Sequence, residues 1–136
     1  MQARIEHLKM IQGVVSRMAG NSAHMKTWAV SLVTATLVFS GVSDHPHWLV
    51  GVGGCVPVIA FWIMDAKYLH LERCYIALYS KVLSGKDIQD FDLDYRSYAA
   101  NIDSVRQVAW SWSVRNFYVS LLAVMIALMI ILFCRG

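Results

Sequence analysis

Three runs without a charged side chain stand out along the chain, and stretches with frequent charges separate them. The uncharged runs cover residues 27–42, 47–64 and 117–134 and contain 16 to 18 residues each. Such a run is just long enough to cross a hydrocarbon core of about 30 Å as an α-helix. The first two runs are separated only by the polar, proline-containing turn at 43–46, which predicts a tight helical hairpin. A buried hairpin in a soluble domain is the alternative, and the third uncharged run disfavours it.

The polar stretch before the first run has a helical pattern of its own. Its apolar side chains recur every three or four residues, which predicts an amphipathic helix over residues 3–19. Such a helix lies on the inner leaflet or packs on a neighbouring helix. We expect the sequence Gly20-Asn21-Ser22 to break it, with Asn21 or Ser22 capping the helix of the first span. The apolar positions are Ile5, Leu8, Ile11, Val15 and Met18.

The second run is predicted to continue as one helix far beyond its apolar part. Neither glycine nor proline occurs between Pro57 and Gly85, so residues 58–84 are expected to form a helix about 40 Å long. Its cytoplasmic half has apolar residues at heptad spacing, which is typical of a surface that packs on another helix. This heptad seam fits either packing within the monomer against residues 98–116 or association between subunits. The seam consists of Tyr68, Leu71, Tyr75, Leu78 and Val82.

The composition strengthens the membrane interpretation, since 57% of the residues are hydrophobic and only 15% are charged. Ordinary soluble domains are about 45–50% apolar and about 25% charged. A chain of 136 residues is too small to bury this excess of apolar surface. The formal net charge of +3 is too small to indicate a nucleic-acid partner. The composition therefore disfavours a soluble enzyme, a disordered chain and a nucleic-acid-binding protein.

The distribution of lysine and arginine predicts the orientation in the membrane. Residues 1–26 contain four of them and residues 65–116 contain seven, whereas the turn has none and the C-terminal end has only Arg135. The positive-inside rule places the two basic segments in the cytoplasm and the turn and C-terminus outside. Tryptophans, which favour the membrane interface, lie near the ends of the spans. They are Trp28, Trp48, Trp62, Trp110 and Trp112.

The predicted fold is therefore an all-α integral membrane protein. An N-terminal amphipathic helix precedes a transmembrane hairpin, the hairpin continues into a cytoplasmic helix, and a third transmembrane helix ends the chain. The predicted divisions are a cytoplasmic helix at 1–26, the hairpin at 27–64, a cytoplasmic helical region at 65–116, and the third span with a short outside tail at 117–136.

Polar groups inside the predicted spans are small. Thr27, Ser31 and Thr34 share a face of the first span, and Gly51 and Gly54 line part of the second. Small residues let helices approach closely, so helix packing is one interpretation. A hydroxyl-lined pore built by several subunits is the other. The spans contain no Asp, Glu, Lys or Arg, which disfavours a proton relay or a coupled transporter.

Motifs of enzymes and metal sites are missing from the sequence, which contains no nucleotide-binding glycine loop, zinc-protease motif or hydrolase elbow. We expect no enzymatic activity, no metal and no cofactor. Asp65, Glu72 and Arg73 follow the second span and are interpreted as the solvated exit of a helix rather than a charge relay. The cysteines lie far apart, which predicts reduced, structural thiols at Cys55, Cys74 and Cys134.

One weak pattern points to a different function. Arg17 and His24 are separated by six residues, which fits the R-x4–6-H signature of HEPN ribonucleases. Chance alone yields about 0.8 such matches in a chain of this composition, so the pattern has little weight by itself.

Several stretches resemble a family of small prokaryotic membrane proteins that occur beside antiviral defence genes. The matching residues lie at 11–22, 26–30, 61–69, 72–73, 78–79 and 117–118, and the similarity covers most of residues 5–84. The chain is similar in plan to SLATT-type effectors and to the transmembrane accessory effector of type VI-B CRISPR systems. The resemblance implies a homo-oligomeric pore in the prokaryotic inner membrane, with a divergent HEPN-like motif. The positions that match this motif are Arg17, Asn21 and His24.

The leading expectation is an oligomeric inner-membrane effector that forms a pore or depolarises the membrane in antiviral defence. Its partners would be the lipid bilayer, further copies of the chain and, in some contexts, a cytoplasmic defence protein, with no direct contact to nucleic acid. Two alternatives remain open. One is a non-enzymatic accessory or scaffold subunit that recruits a cytoplasmic partner through the heptad seam. The other is a membrane-tethered HEPN-like ribonuclease.

Overall fold

Helices account for most of the residues that the structure describes. The computed structural model describes residues 2–43, 47–85 and 93–135, so that most of the predicted turn at 43–46 lies outside the described residues. The helices are α1 (Gln2–Val42), α2 (Leu49–Leu83), α3 (Arg96–Ala99), α4 (Val105–Ala109) and α5 (Trp112–Arg135). By length and composition α1, α2 and α5 are able to cross a membrane, and the described residues include no strand. The predicted all-helical membrane fold is confirmed.

Helices α1 and α2 form a long antiparallel pair that dominates the structure. They contain 41 and 35 residues, which corresponds to lengths of about 62 Å and about 53 Å. Both helices exceed the length needed to cross a bilayer. Only about half of each is apolar enough to lie within one, because the uncharged run begins only at Thr27 in α1 and ends at Met64 in α2. The apolar halves adjoin each other, and the polar halves extend together as a two-helix stalk.

The break predicted at Gly20-Asn21-Ser22 is wrong, because α1 runs without interruption from Gln2 to Val42. A glycine inside a helix costs only about 1 kcal/mol relative to alanine, and packing along α2 outweighs that cost. Ser22 caps no helix end in this structure. Its hydroxyl points sideways and bonds to a carboxylate on α2.

The membrane half has a core to which all three long helices contribute. Helix α5 packs mainly on α2, and the two helices come close together at Gly51, where a methyl group would lie 2.9 Å from Met129 Cβ. Glycine at this position lets the two helix backbones come together. The buried core residues are Ala29, Val33, Val58, Val114, Tyr118 and Met125.

The stalk has a second core, and it determines which helix covers the heptad seam. Leu78 and Val82 form a buried cluster with Ile11 of α1, and Tyr75 packs against that cluster. The expected partner segment, residues 98–116, was therefore the wrong one for these three seam residues. That segment does pack on α2, but at other side chains, as when the Trp62 indole donates to the Ala109 carbonyl oxygen at 3.1 Å. Tyr68 and Leu71 of the seam are half-buried.

At the far end of the stalk, an arginine of α1 binds the C-terminus of α2. Arg4 Nε donates to the Val82 carbonyl oxygen at 3.0 Å, and a second guanidinium nitrogen donates to the Leu83 carbonyl oxygen. These carbonyls belong to the last turn of α2, where a cation is favourable. The Val82 carbonyl oxygen also accepts from the Gly85 backbone N–H at 3.3 Å. Gly85 follows with φ of 74°, a conformation in which glycine carries no steric cost.

Candidate functional site

An ion pair between a half-buried lysine and a fully buried aspartate joins α1 to α2 where the apolar halves meet the stalk. The carboxylate of Asp65 is 0% exposed, and Lys26 Nζ lies 2.6 Å from its Oδ2 atom. Ser22 donates a hydrogen bond from its hydroxyl to the other carboxylate oxygen. Lys26 Nζ also lies 3.1 Å from the Ser22 hydroxyl. Ser22, Lys26 and Asp65 form a closed group, the ion-pair cluster.

The hairpin explains why these side chains meet. Lys26 is the last charged residue before the first uncharged run, and Asp65 is the first one after the second run. Residues equally far from a tight turn lie side by side in an antiparallel helix pair. Ser22 is one helical turn before Lys26, so both side chains face the same part of α2.

The prediction that Asp65 lies at a solvated helix exit is wrong. Burying a lone carboxylate is very unfavourable, and it is tolerated here because a cation and a hydroxyl satisfy both of its oxygens. Glu72 and Arg73 are half-buried. Arg73 forms an ion pair of 3.1 Å with Asp103, which links α2 to the segment before α4.

The third span reaches the same place through an aromatic stack. Tyr118 of α5 is fully buried, and its ring stacks on Trp62 with centroids 6.0 Å apart and planes 5° from parallel. Its hydroxyl faces the Asp65 carboxylate. That hydroxyl nevertheless makes no hydrogen bond of good geometry to any described residue. All three long helices thus converge on Asp65.

The ion-pair cluster has a structural role and acts as a pin, by which we mean that it holds α1 and α2 in one register. Both carboxylate oxygens already accept strong hydrogen bonds, and the charge of Lys26 balances that of Asp65. A pair of this kind fixes the relative register of two helices, since moving one helix by a turn would separate the charges. Within the described ranges, no group of three or more His, Cys, Asp or Glu side chains is arranged to hold a metal ion.

The HEPN-like positions lie on the stalk half of α1. The continuous helix places Arg17, Asn21 and His24 on one face, since their spacing is four and then three residues. Arg17 and His24 are exposed, and Asn21 is half-buried. Arg17 lies close enough to α2 to affect Tyr75, because burial raises the pKa of Tyr75 and the charge of Arg17 partly opposes that rise.

The small residues of the spans divide into two groups. Gly51 and Gly54 are buried, and a methyl group on either would contact α5, so these two serve helix packing within the chain. Thr27, Ser31 and Thr34 are exposed on the opposite side of the hairpin. The Thr27 hydroxyl donates to the Ala23 carbonyl oxygen of its own helix at 3.1 Å.

These hydroxyls belong to a longer surface, which we name the outer α1 face. Further small residues lie on the same side of the helix by their spacing. A methyl group built on any of the three glycines in this surface would have nothing within 4 Å. The outer α1 face consists of Gly13, Gly20, Thr27, Ser31, Thr34 and Gly41.

The fold and the cluster define a helical membrane protein with three apolar helices, a protruding two-helix stalk and a buried ion pair at their junction. No protein-family model, no curated protein and no solved structure matches the chain.

Proposed function

We propose that the protein is an oligomeric effector of a prokaryotic inner membrane that forms a pore or depolarises the membrane in antiviral defence. The three apolar helices support residence in a membrane. The resemblance of several stretches within residues 5–84 to SLATT-type effectors and to the accessory effector of type VI-B CRISPR systems supports the defence role. A single copy offers no channel in its described core, since Val58, Tyr118 and Met125 are 0% exposed where the helices meet.

The outer α1 face is the observation that carries this proposal. It runs along both halves of α1 and stays uncovered by the described residues of the chain. Small residues on a membrane helix allow a second helix to pack closely against it. When α1 helices of several copies turn this face toward a common axis, Thr27, Ser31 and Thr34 form a ring of hydroxyls in the membrane. Hydroxyls in such a ring would bind water and keep the central opening between the copies hydrated. Apolar side chains in the same positions would exclude water and close it.

Enlarging the three hydroxyl residues tests the proposal. The triple variant Thr27→Leu/Ser31→Leu/Thr34→Leu is expected to lose dye release from liposomes and to shift from an oligomer toward a monomer, because leucine separates the helices and makes the face apolar. Dye release and the light-scattering mass in detergent are measured on the same sample. The control Val56→Leu/Val124→Leu enlarges exposed side chains of α2 and α5 and should behave as wild type. A monomeric wild type without release, or full release by the triple variant, contradicts the proposal.

The proposed orientation places the stalk in the cytoplasm and the end of α5 outside, and cysteine labelling tests it. Cys134 is exposed near the end of α5, whereas Cys74 is buried in the stalk. Burial raises the pKa of the Cys74 thiol, so it stays protonated and unreactive at neutral pH. A membrane-impermeant maleimide is therefore expected to label intact spheroplasts at Cys134, and Cys134→Ser should abolish the label. Labelling that requires lysis would reverse the orientation.

The scaffold alternative has one observation in its favour. The flank of the stalk exposes Ile5, Ile76 and Leu83 at 46%, 45% and 56%. Such side chains in the cytoplasm favour a protein partner. In this alternative the partner binds the flank, because α1 already covers much of the heptad seam. It predicts a monomer or dimer without dye release, whatever residues occupy the outer α1 face.

A further inference from the structure

The turn between α4 and α5 exposes two tryptophans at the level of the ion-pair cluster. Trp110 is 63% exposed and Trp112 is 75% exposed. Trp62 fixes their level, since its indole nitrogen donates to Ala109 and its ring lies 6.1 Å from that of Trp110. Trp62 is three residues before Asp65 on α2, so the turn lies where the spans meet the stalk. Large exposed indoles at that level are typical of the interface between headgroups and acyl chains.

An exposed arginine lies one helical turn from each of these tryptophans. Arg106 precedes Trp110 by four residues, and Arg115 follows Trp112 by three. Neither arginine has a carboxylate within 4 Å in the part of the chain that the structure describes. The acidic groups of this region are already paired, Asp65 with Lys26 and Asp103 with Arg73. Among the described residues, the positive charge of this turn is therefore not compensated by a nearby carboxylate.

The local structure holds this turn in a defined conformation. The Ser104 hydroxyl accepts from the Gln107 backbone N–H at 3.4 Å, and the Gln107 side chain accepts from the Ser104 N–H at 2.7 Å. This capping box fixes the start of α4. On the other side, the Trp110 backbone N–H donates to the Arg106 carbonyl oxygen at 3.1 Å.

We propose that the α4–α5 turn binds the phosphate headgroups of anionic phospholipids in the leaflet on the stalk side. Guanidinium groups bind phosphate through paired hydrogen bonds, and indoles occupy the interface just below. Arg115, although one turn inside α5, reaches headgroup level because a long arginine side chain extends toward water. The depth set by the tryptophans favours a lipid over a soluble phosphate or an acidic protein. The proposal depends on membrane residence and is independent of pore formation.

Titration of the purified chain in a nonionic detergent tests this proposal. Dioctanoyl phosphatidylglycerol is added, with dioctanoyl phosphatidylcholine as the zwitterionic comparison, and tryptophan fluorescence reports binding. Phosphatidylglycerol is expected to bind at least tenfold more tightly. Removing one positive charge near an anionic surface weakens binding about fivefold, so Arg106→Gln/Arg115→Gln is expected to lose about 30-fold. Both arginines are exposed, and an unchanged unfolding midpoint verifies that the variant folds.

Controls distinguish the lipid from other anions. Lys9→Gln removes a single positive charge from the stalk, about 25 Å from Lys26 along α1, and should leave phosphatidylglycerol binding unchanged. Soluble glycerol phosphate at the same concentration should not displace the lipid. Equal affinity for the two lipids, wild-type binding by the double arginine variant, or full displacement by glycerol phosphate would each overturn the proposal. None of these readouts depends on dye release or on the oligomeric state.

Discussion

Replacing Lys26 with methionine is expected to lower the free energy of unfolding by about 3 kcal/mol. Removing one partner of a buried ion pair typically costs about 3–5 kcal/mol, since the other charge stays buried without compensation. Lys26 is 29% exposed, which places the cost at the lower end of that range, and Asp65 keeps its bond from Ser22. Unfolding of the detergent-solubilised protein, followed by circular dichroism, measures the loss.

Two further variants separate the contributions of the pair. Asp65→Asn is expected to cost only about 1 kcal/mol, because the amide oxygen still accepts from Ser22. The amide NH2 group cannot accept from Lys26, whose ammonium is close enough to water to turn away and be solvated. The double variant Lys26→Met/Asp65→Asn should be more stable than Lys26→Met alone, since no uncompensated carboxylate remains. Arg73→Gln breaks an exposed pair and serves as control, with little expected effect. A loss from Lys26→Met no larger than that from Arg73→Gln would sink the interpretation of the cluster as a pin.

Gly51→Leu is the second substitution with a large expected effect, a loss of about 3 kcal/mol at the upper end of what overpacking costs. A β-carbon at this position would lie 3.1 Å from the backbone Cα of Met129, so α5 as a whole must move away from α2. Gly53→Leu is the matched control, because it adds the same side chain two residues later where nothing lies within 4 Å. The same unfolding measurement applies to both variants.

Gly54→Ala refines this prediction. A methyl group there would meet the Cε atom of Met125, which is the far end of a flexible, buried side chain and shifts at lower cost than backbone does. Gly54→Ala should therefore lower the free energy of unfolding less than Gly51→Ala does, because the new methyl group at position 51 would meet backbone atoms of Met129. If Gly51→Leu and Gly53→Leu unfold at the same midpoint, the close contact between α2 and α5 is absent from the folded protein in detergent, which contradicts this prediction.

The spans were predictable because their signal is strong and local. A run of 16 to 18 residues without charge has few stable alternatives to a membrane helix, and the end of α2 followed from the lack of glycine and proline before Gly85. The continuity of α1 was not predictable from local preferences. Gly20, Asn21 and Ser22 all favour a break, and only contacts with α2 along the hairpin outweigh them.

The ion-pair cluster was missed although its signal was present in the sequence. Lys26 and Asp65 were interpreted separately, one as a topology signal and the other as a solvated exit, whereas a tight hairpin places them opposite each other. The contribution of Tyr118 could not have been found in this way. The rotation of α5 about its axis depends on packing against Gly51 and Gly54, and apolar periodicity does not encode that angle.

Apolar spacing likewise indicates that a surface is covered without showing what covers it. The heptad seam on α2 has the pattern of a partner-binding helix, and so does the stripe that contains Ile11 on α1. The two stripes cover each other in the stalk. Patterns on separate segments are thus more informative when they are matched in pairs across a predicted hairpin.

The continuous helix α1 connects the stalk mechanically to the membrane half. A helix without a kink is expected to tilt as one body. The ion-pair cluster at Lys26 is then the point about which its two ends move in opposite directions. A tilt of about 10° there moves the N-terminal end by about 6 Å and the opposite end by about 4 Å in the other direction, at a rise of about 1.5 Å per residue. Because α1 has no break between the stalk and the membrane half, a displacement of α1 in the stalk is expected to move its membrane half as well.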